Sequence, residues 1–178
     1  MYEESFKMPF LIKSPGTIIP GTISDDKIMN IDFAPTLLDF AGLSIPEEMQ
    51  GRSFKNTFTK NSDTKRNAVY YHYYEYPIWH NVQPHYGVRT DKYKLIHFYY
   101  SMDEWELYDL KNDPNEMNNI YSDAPKELIE KLKRELQELR TEYKDDGSIE
   151  QMKSMTDVVI RRVYNEPKIY KESNKNKK

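Results

Sequence analysis

Cysteine is absent from the 178 residues, and with it go disulfides, thiolate metal sites and thiol nucleophiles. Glycine is scarce, six in all, which leaves little material for a phosphate-cradling loop. Neither G-x-S-x-G nor H-E-x-x-H occurs. No apolar run approaches bilayer-spanning length, and the first residues lack the charged-then-apolar order of a secretory leader, so no membrane partner is expected. An excess of positive charge is also missing. At a net charge of -3 the chain has no dominant field with which to displace phosphate counterions, and no nucleic-acid partner is expected.

What the chain does have is tyrosine, 15 residues of it, and a charged fraction of 31 % against 38 % hydrophobic. These proportions predict a modest core rich in phenol rings beneath a well-solvated surface. Pro9 to Lys13 reads as a short buried strand stopped by Ser14-Pro15-Gly16. From Asp32 to Ala41, Phe33, Leu37, Leu38, Phe40 and Ala41 recur at helical spacing. Asp32 is the expected N-cap, Pro35 falls in the first turn, and Gly42 offers a left-handed terminus. The polar run Lys60 to Arg66 marks a boundary.

Beyond it, Ala68–Tyr76, Tyr86–Thr90, Tyr93–Tyr99 and Trp105–Leu110 are dense in aromatic and β-branched residues and separated by short turns. Such connections demand antiparallel pairing, hence a meander of about four strands. A helix is expected from about Pro125 to Tyr143, with Leu128, Ile129, Leu132, Leu136, Leu139 and Tyr143 in one stripe that should lie on the meander. A second amphipathic segment spans Met152 to Tyr164, and the Lys-rich residues that follow read as a disordered, solvated tail.

The chemistry-bearing stretch is Trp79 to Thr90, which gathers Trp79, His80, His85, Tyr86 and Arg89 around Pro84. Arginine offers a planar fork of donors for an oxyanion, histidine donates or accepts near neutral pH, and an indole face covers a sugar ring. Pro84 forbids a single helix carrying both histidines, so a helical metal pair is excluded. A pair across a loop, ligand contacts and ordinary structural histidines all stay open. His85, Gly87 and Arg89 should share one strand face, the glycine leaving open space between them. For Arg89 the competing reading is a surface ion pair. His72 and His97 sit inside strand patterns and read as structural. Asp109 and Asp113 read either as turn builders or as part of a cation site.

Several segments, taken in order, resemble the C-terminal part of the type I, formylglycine-dependent sulfatases of the alkaline-phosphatase-like superfamily. They are Tyr2-Glu3-Glu4-Ser5 with Pro9-Phe10-Leu11-Ile12, Pro15-Gly16, Ile31 to Leu38, Gln50-Gly51-Arg52-Ser53, and His85 to Thr90 with Tyr93-Lys94-Leu95-Ile96. Glu106 to Leu110 and Asp113-Pro114-Asn115-Glu116 close the series. The Tyr-rich His80-to-Thr90 segment is most similar to bacterial glycan sulfatases acting on N-sulfoglucosamine or N-acetylglucosamine 6-sulfate.

The resemblance implies an α/β fold whose large domain ends in residues 1–62. A smaller α+β subdomain follows in residues 63–164, an antiparallel sheet packed by a helix, and the tail occupies 165–178. It implies a sulfated saccharide as partner, contacted by His80, His85 and Arg89 with Trp79 as a ring platform, and an N-terminal sulfatase domain as the other partner. No C/S-x-P-S-R motif occurs. The formylglycine, the calcium ligands and the catalytic lysine are therefore expected in the complete, periplasmic or secreted parent, upstream of Tyr2, with no catalytic residue and no cofactor in this chain. A non-catalytic carbohydrate-binding or assembly module and a related phosphoester or phosphonate hydrolase are the competing readings.

Overall fold

The computed structural model describes residues 2–58, 65–77 and 80–165. The expected boundary at 58–66 and the Lys-rich tail lie largely outside the described residues. In chain order the elements are helix α1 (Glu3–Phe6), a 3-10 turn at Asn30–Asp32 leading into helix α2 (Phe33–Phe40), a second 3-10 turn at Lys55–Phe58, strands β1 (Ala68–Tyr73), β2 (His85–Thr90), β3 (Tyr93–Phe98) and β4 (Glu104–Asp109), and helices α3 (Lys126–Glu142) and α4 (Ile149–Asn165).

The four strands form one antiparallel sheet in sequence order, and the links at 91–92 and 99–103 are too short to allow anything but a return to the neighbour. Register runs straight across it: Tyr71 faces Gly87, Gly87 faces Ile96, and Ile96 faces Glu106. Period-two alternation then sorts the side chains. Tyr70, Tyr86, Val88, Leu95 and Leu107 point to the helical layer, where Leu132 and Leu136 of α3 and Met152 of α4 complete the main core. Tyr71, Ile96, Phe98 and Tyr108 point the other way and build a smaller cluster with Phe6 and Leu110. Both faces of the sheet are thus covered.

Two expectations need correction. Residues 9–13 form no strand, and Phe10 and Leu11 are 44 % and 95 % exposed. Among the described residues the four strands pair only with one another, and none of them offers this segment an edge with which it forms a ladder. Asp32 does not cap α2, since its side chain makes no cap hydrogen bond there. It is completely buried. Its carboxylate accepts from the Met29 N–H at 2.7 Å and the Arg52 N–H at 2.8 Å and is gripped bidentately by Arg66. A buried carboxylate needs a counter-charge and full hydrogen bonding, and the guanidinium supplies both.

Asp109 and Asp113 build turns: Asp109 accepts from the Lys111 and Asn112 N–H groups, and Asp113 from those of Met117 and Asn118. His72 and His97 are structural. The His72 ring is hydrogen-bonded to Asp145 at 2.7 Å and the Tyr99 hydroxyl at 2.8 Å, and that of His97 to Tyr86 at 2.9 Å and Asp103 at 2.8 Å. Burial lowers the pKa of both rings.

Candidate functional site

The stretch from residue 80 to Arg89 starts as a loop and ends inside the sheet, and this division sorts its side chains. His80 is solvent-exposed on a loop that turns at Asn81, whose φ of 50° is left-handed. Asparagine tolerates that region better than most residues. Trp79 lies outside the described residues. Where β2 begins, His85 is only 2 % exposed. Its ring stacks on Tyr73 at 5.3 Å and meets Phe98 at 4.8 Å and Tyr71 edge-on at 5.8 Å. Nδ1 stands 2.7 Å from the Gln83 carbonyl oxygen. A carbonyl only accepts, so Nδ1 carries the proton. Burial is the largest cause that pushes the His85 pKa down, to about 4, and the imidazole is neutral at physiological pH.

Arg89 lies four residues beyond His85 on the same face, as the alternation requires. The space over Gly87 is filled: a Cβ there would stand 2.4 Å from the Leu95 carbonyl oxygen and 2.8 Å from the Tyr71 hydroxyl. The open space expected between His85 and Arg89 is therefore occupied by the Tyr71 ring. Arg89 turns its guanidinium to Glu3, with Nε and Nη2 at 3.3 and 3.1 Å from the carboxylate oxygens, and Nη1 donates to the Thr90 carbonyl.

Glu3 is the centre of a buried ionic network. Lys94 Nζ, fully buried, stands 2.9 Å from Glu3 Oε1 and 2.7 Å from Glu116 Oε1, an ion pair with Glu116 rather than a well-aligned hydrogen bond. The Glu116 carboxylate also accepts the backbone N–H of Glu3. Burial raises the Glu3 pKa, but Arg89 and Lys94 outweigh it and hold the carboxyl at about 2. Phe6 packs edge-on against Tyr71 at 4.8 Å and lies under Lys94 Nζ. The Tyr2–Phe6 segment is thereby fastened across the outer sheet face, with Arg89 as one of its fasteners.

Of the four residues singled out in the sequence, His80 faces solvent. His85 and Arg89 point into protein. Lys94, Glu3 and Glu116 were not anticipated, yet a signal existed: Lys94 alternates with Ile96 and Phe98 on an apolar face, where a cation requires a buried acid.

Among the described residues no three His, Cys, Asp or Glu side chains converge on a point where a metal ion could bind, and the nucleophile motif is absent from the sequence.

Residues 1–142 match the model of the N-sulphoglucosamine sulphohydrolase family, C-terminal region. The chain belongs to this sulfatase family. An N-acetylglucosamine-6-O-sulfatase of Bacteroides thetaiotaomicron is 49 % identical over 150 residues, covering 82 % of this chain and 27 % of the relative. An endo-4-O-sulfatase of the same organism is 32 % identical, covering 86 % and 33 %. Among solved structures, one in complex with its substrate D-glucosamine-2-N,6-O-disulfate superposes at a TM-score of 0.72 and 47 % identity, covering 76 % of this chain and 28 % of that one. A phosphonate monoester hydrolase of Agrobacterium radiobacter, at a TM-score of 0.51 and 24 % identity, shares the fold alone. The chain spans about a quarter to a third of the length of these sulfatase relatives. The sheet and its helical layer therefore correspond to the C-terminal region of this sulfatase family.

Proposed function

We propose that this chain serves as the substrate-side subdomain of a sulfatase that removes sulfate from glucosamine-type saccharides, and that the 178 residues do not hydrolyse sulfate esters by themselves. The observation that carries this reading is the 49 % identity to an N-acetylglucosamine-6-O-sulfatase, combined with the absence from this sequence of the nucleophile motif. The formylglycine and calcium are assigned to polypeptide beyond these residues, as is the large α/β domain on which exposed Leu11, Ile23 and Leu37 would be buried.

Within the subdomain, the loop bearing His80 is the part that reaches the sugar. Its imidazole is exposed and offers a donor and an acceptor to hydroxyl or sulfate oxygens. In this reading Arg89 holds the Tyr2–Phe6 segment and leaves the sugar to the loop, a division supported by the pairing of its guanidinium with Glu3.

The test is to incubate the purified chain with glucosamine 6-sulfate and calcium and to follow both sulfate release and saccharide binding. Binding without turnover is expected, with His80→Ala weakening the binding and leaving the unfolding midpoint within about 0.5 kcal/mol of the parent. Sustained sulfate release would overturn the division of labour. Absence of binding would remove the recognition role.

A further inference from the structure

His85 lies within the stretch that the sequence marks for sugar contact, yet it is 2 % exposed and its ring is packed among Tyr71, Tyr73 and Phe98. One of its polar interactions is local, from Nδ1 to the Gln83 carbonyl at 2.7 Å. That carbonyl belongs to the last loop residue before Pro84, and the loop is secured on either side of it. The Gln83 side-chain oxygen accepts from the Ser101 hydroxyl at 2.8 Å, and the Pro84 carbonyl accepts the Tyr99 N–H at 3.3 Å. Pro84 itself is buried. The loop carrying His80 and the left-handed Asn81 is therefore anchored to the sheet at Gln83 and Pro84, with the His85 ring as the side-chain anchor in β2.

We propose that His85 is a positioning residue: by donating Nδ1–H to the Gln83 carbonyl it fixes the loop that presents His80, and it acts on the saccharide through that loop rather than by touching it. This rests on the functional reading above. Nearby groups fit a neutral anchor. Among the described residues the phenols Tyr71 and Tyr73 from β1 and the hydrocarbon Phe98 from β3 pack on the ring, and burial, with a smaller contribution from the cationisable His72, lowers the tendency of His85 to protonate. A pinned neutral ring has one proton, on Nδ1, and that proton is spent on the backbone.

The two ring nitrogens have different amide mimics, and the test uses them. The side-chain nitrogen of asparagine occupies the place of Nδ1 and that of glutamine the place of Nε2. In the 178-residue chain, His85→Asn should retain the Gln83 anchor, His85→Gln should lose it, and His85→Phe should keep the ring packing while orphaning the carbonyl. Loop order is read by amide hydrogen exchange at residues 80–83, and recognition by binding of D-glucosamine-2-N,6-O-disulfate.

The expected result is near-parental protection and affinity in His85→Asn. His85→Gln and His85→Phe should show faster loop exchange and affinity lowered by about tenfold, the equivalent of one lost buried hydrogen bond. Rescue by glutamine instead of asparagine would overturn the proposal, because it would place the working nitrogen at Nε2 and make His85 a direct contact. Unchanged loop exchange in all three variants would overturn it as well. If the parental chain binds no saccharide, the functional reading fails while the exchange pattern still decides whether His85 sets the loop.

Discussion

Removing the Asp32 carboxylate should be among the most damaging single changes this fold can suffer. The carboxylate accepts four hydrogen bonds in a fully buried position, two from backbone N–H groups and two from the Arg66 guanidinium. Arg66 is itself only 9 % exposed. Burial alone would lower its pKa, but Asp32 more than offsets this and raises it. Asp32→Asn keeps most of the volume but leaves the guanidinium buried without a counter-charge, at a cost of about 3–5 kcal/mol. Asp32→Ala also orphans the Met29 and Arg52 N–H groups, each worth about 1–3 kcal/mol.

Against a total stability of about 5–15 kcal/mol, the asparagine variant should lose about a fifth or more. In urea, with a slope of about 2 kcal/mol per molar, its midpoint should fall by about 1.5–2.5 M. A double-mutant cycle isolates the pair. Arg66→Met should be costly alone because it strands the carboxylate, whereas Asp32→Asn with Arg66→Met should cost less than the sum by about 2 kcal/mol, within the usual range for directly contacting residues. Additive losses, or an Asp32→Asn cost below about 1 kcal/mol, would refute the argument that this pair ties residues 29–32 and 52 to the start of β1.

Acid should destabilise the chain in two windows. His85 is held at about 4 against 6.5 for an ordinary imidazole. Only the unfolded chain takes up its proton as pH falls from 6.5 to 4, and stability should drop across that range. Glu3 is held at about 2 against 4.5, so its contribution is complete above pH 4.5 and is lost between 4.5 and 2. A urea midpoint that stays flat from pH 7 to 4 in the parent, or that slopes equally in His85→Phe, would contradict the first window. Gly51→Ala should unfold the region around Asp32, since a Cβ would stand 1.9 Å from the Ile31 carbonyl oxygen and neither party is a flexible side chain. A thermal midpoint within about 2 °C of the parent would show that the backbone can yield there. Gly87→Ala, facing the Leu95 carbonyl oxygen at 2.4 Å, should cost at least about 1–3 kcal/mol.

The meander and its helix were legible because both are written in short-range patterns. Strand alternation and the short turn at Asp91-Lys92 place β2 and β3 within a residue of their observed ends, and the leucine stripe places α3 equally well. What stayed hidden depends on partners far away in the chain. Glu3 meets Arg89 across 86 positions and Asp32 meets Arg66 across 34, and no local period encodes either pairing. The same limit explains the candidate site. Residue type and spacing marked the stretch from Trp79 to Arg89 as chemistry for a polar, anionic ligand, and the family resemblance made that ligand a sulfated sugar, but spacing along a strand specifies a shared face without saying whether that face is open. Here it is closed by Tyr71, Phe98 and the docked Tyr2–Phe6 segment, and the proposal that the loop makes the contact while His85 holds the loop follows from that closure. An arginine or histidine in a strand of a thin sheet is thus available to a ligand only if nothing from the same chain covers its face, and in this sulfatase subdomain Glu3 and the tyrosines arrive first.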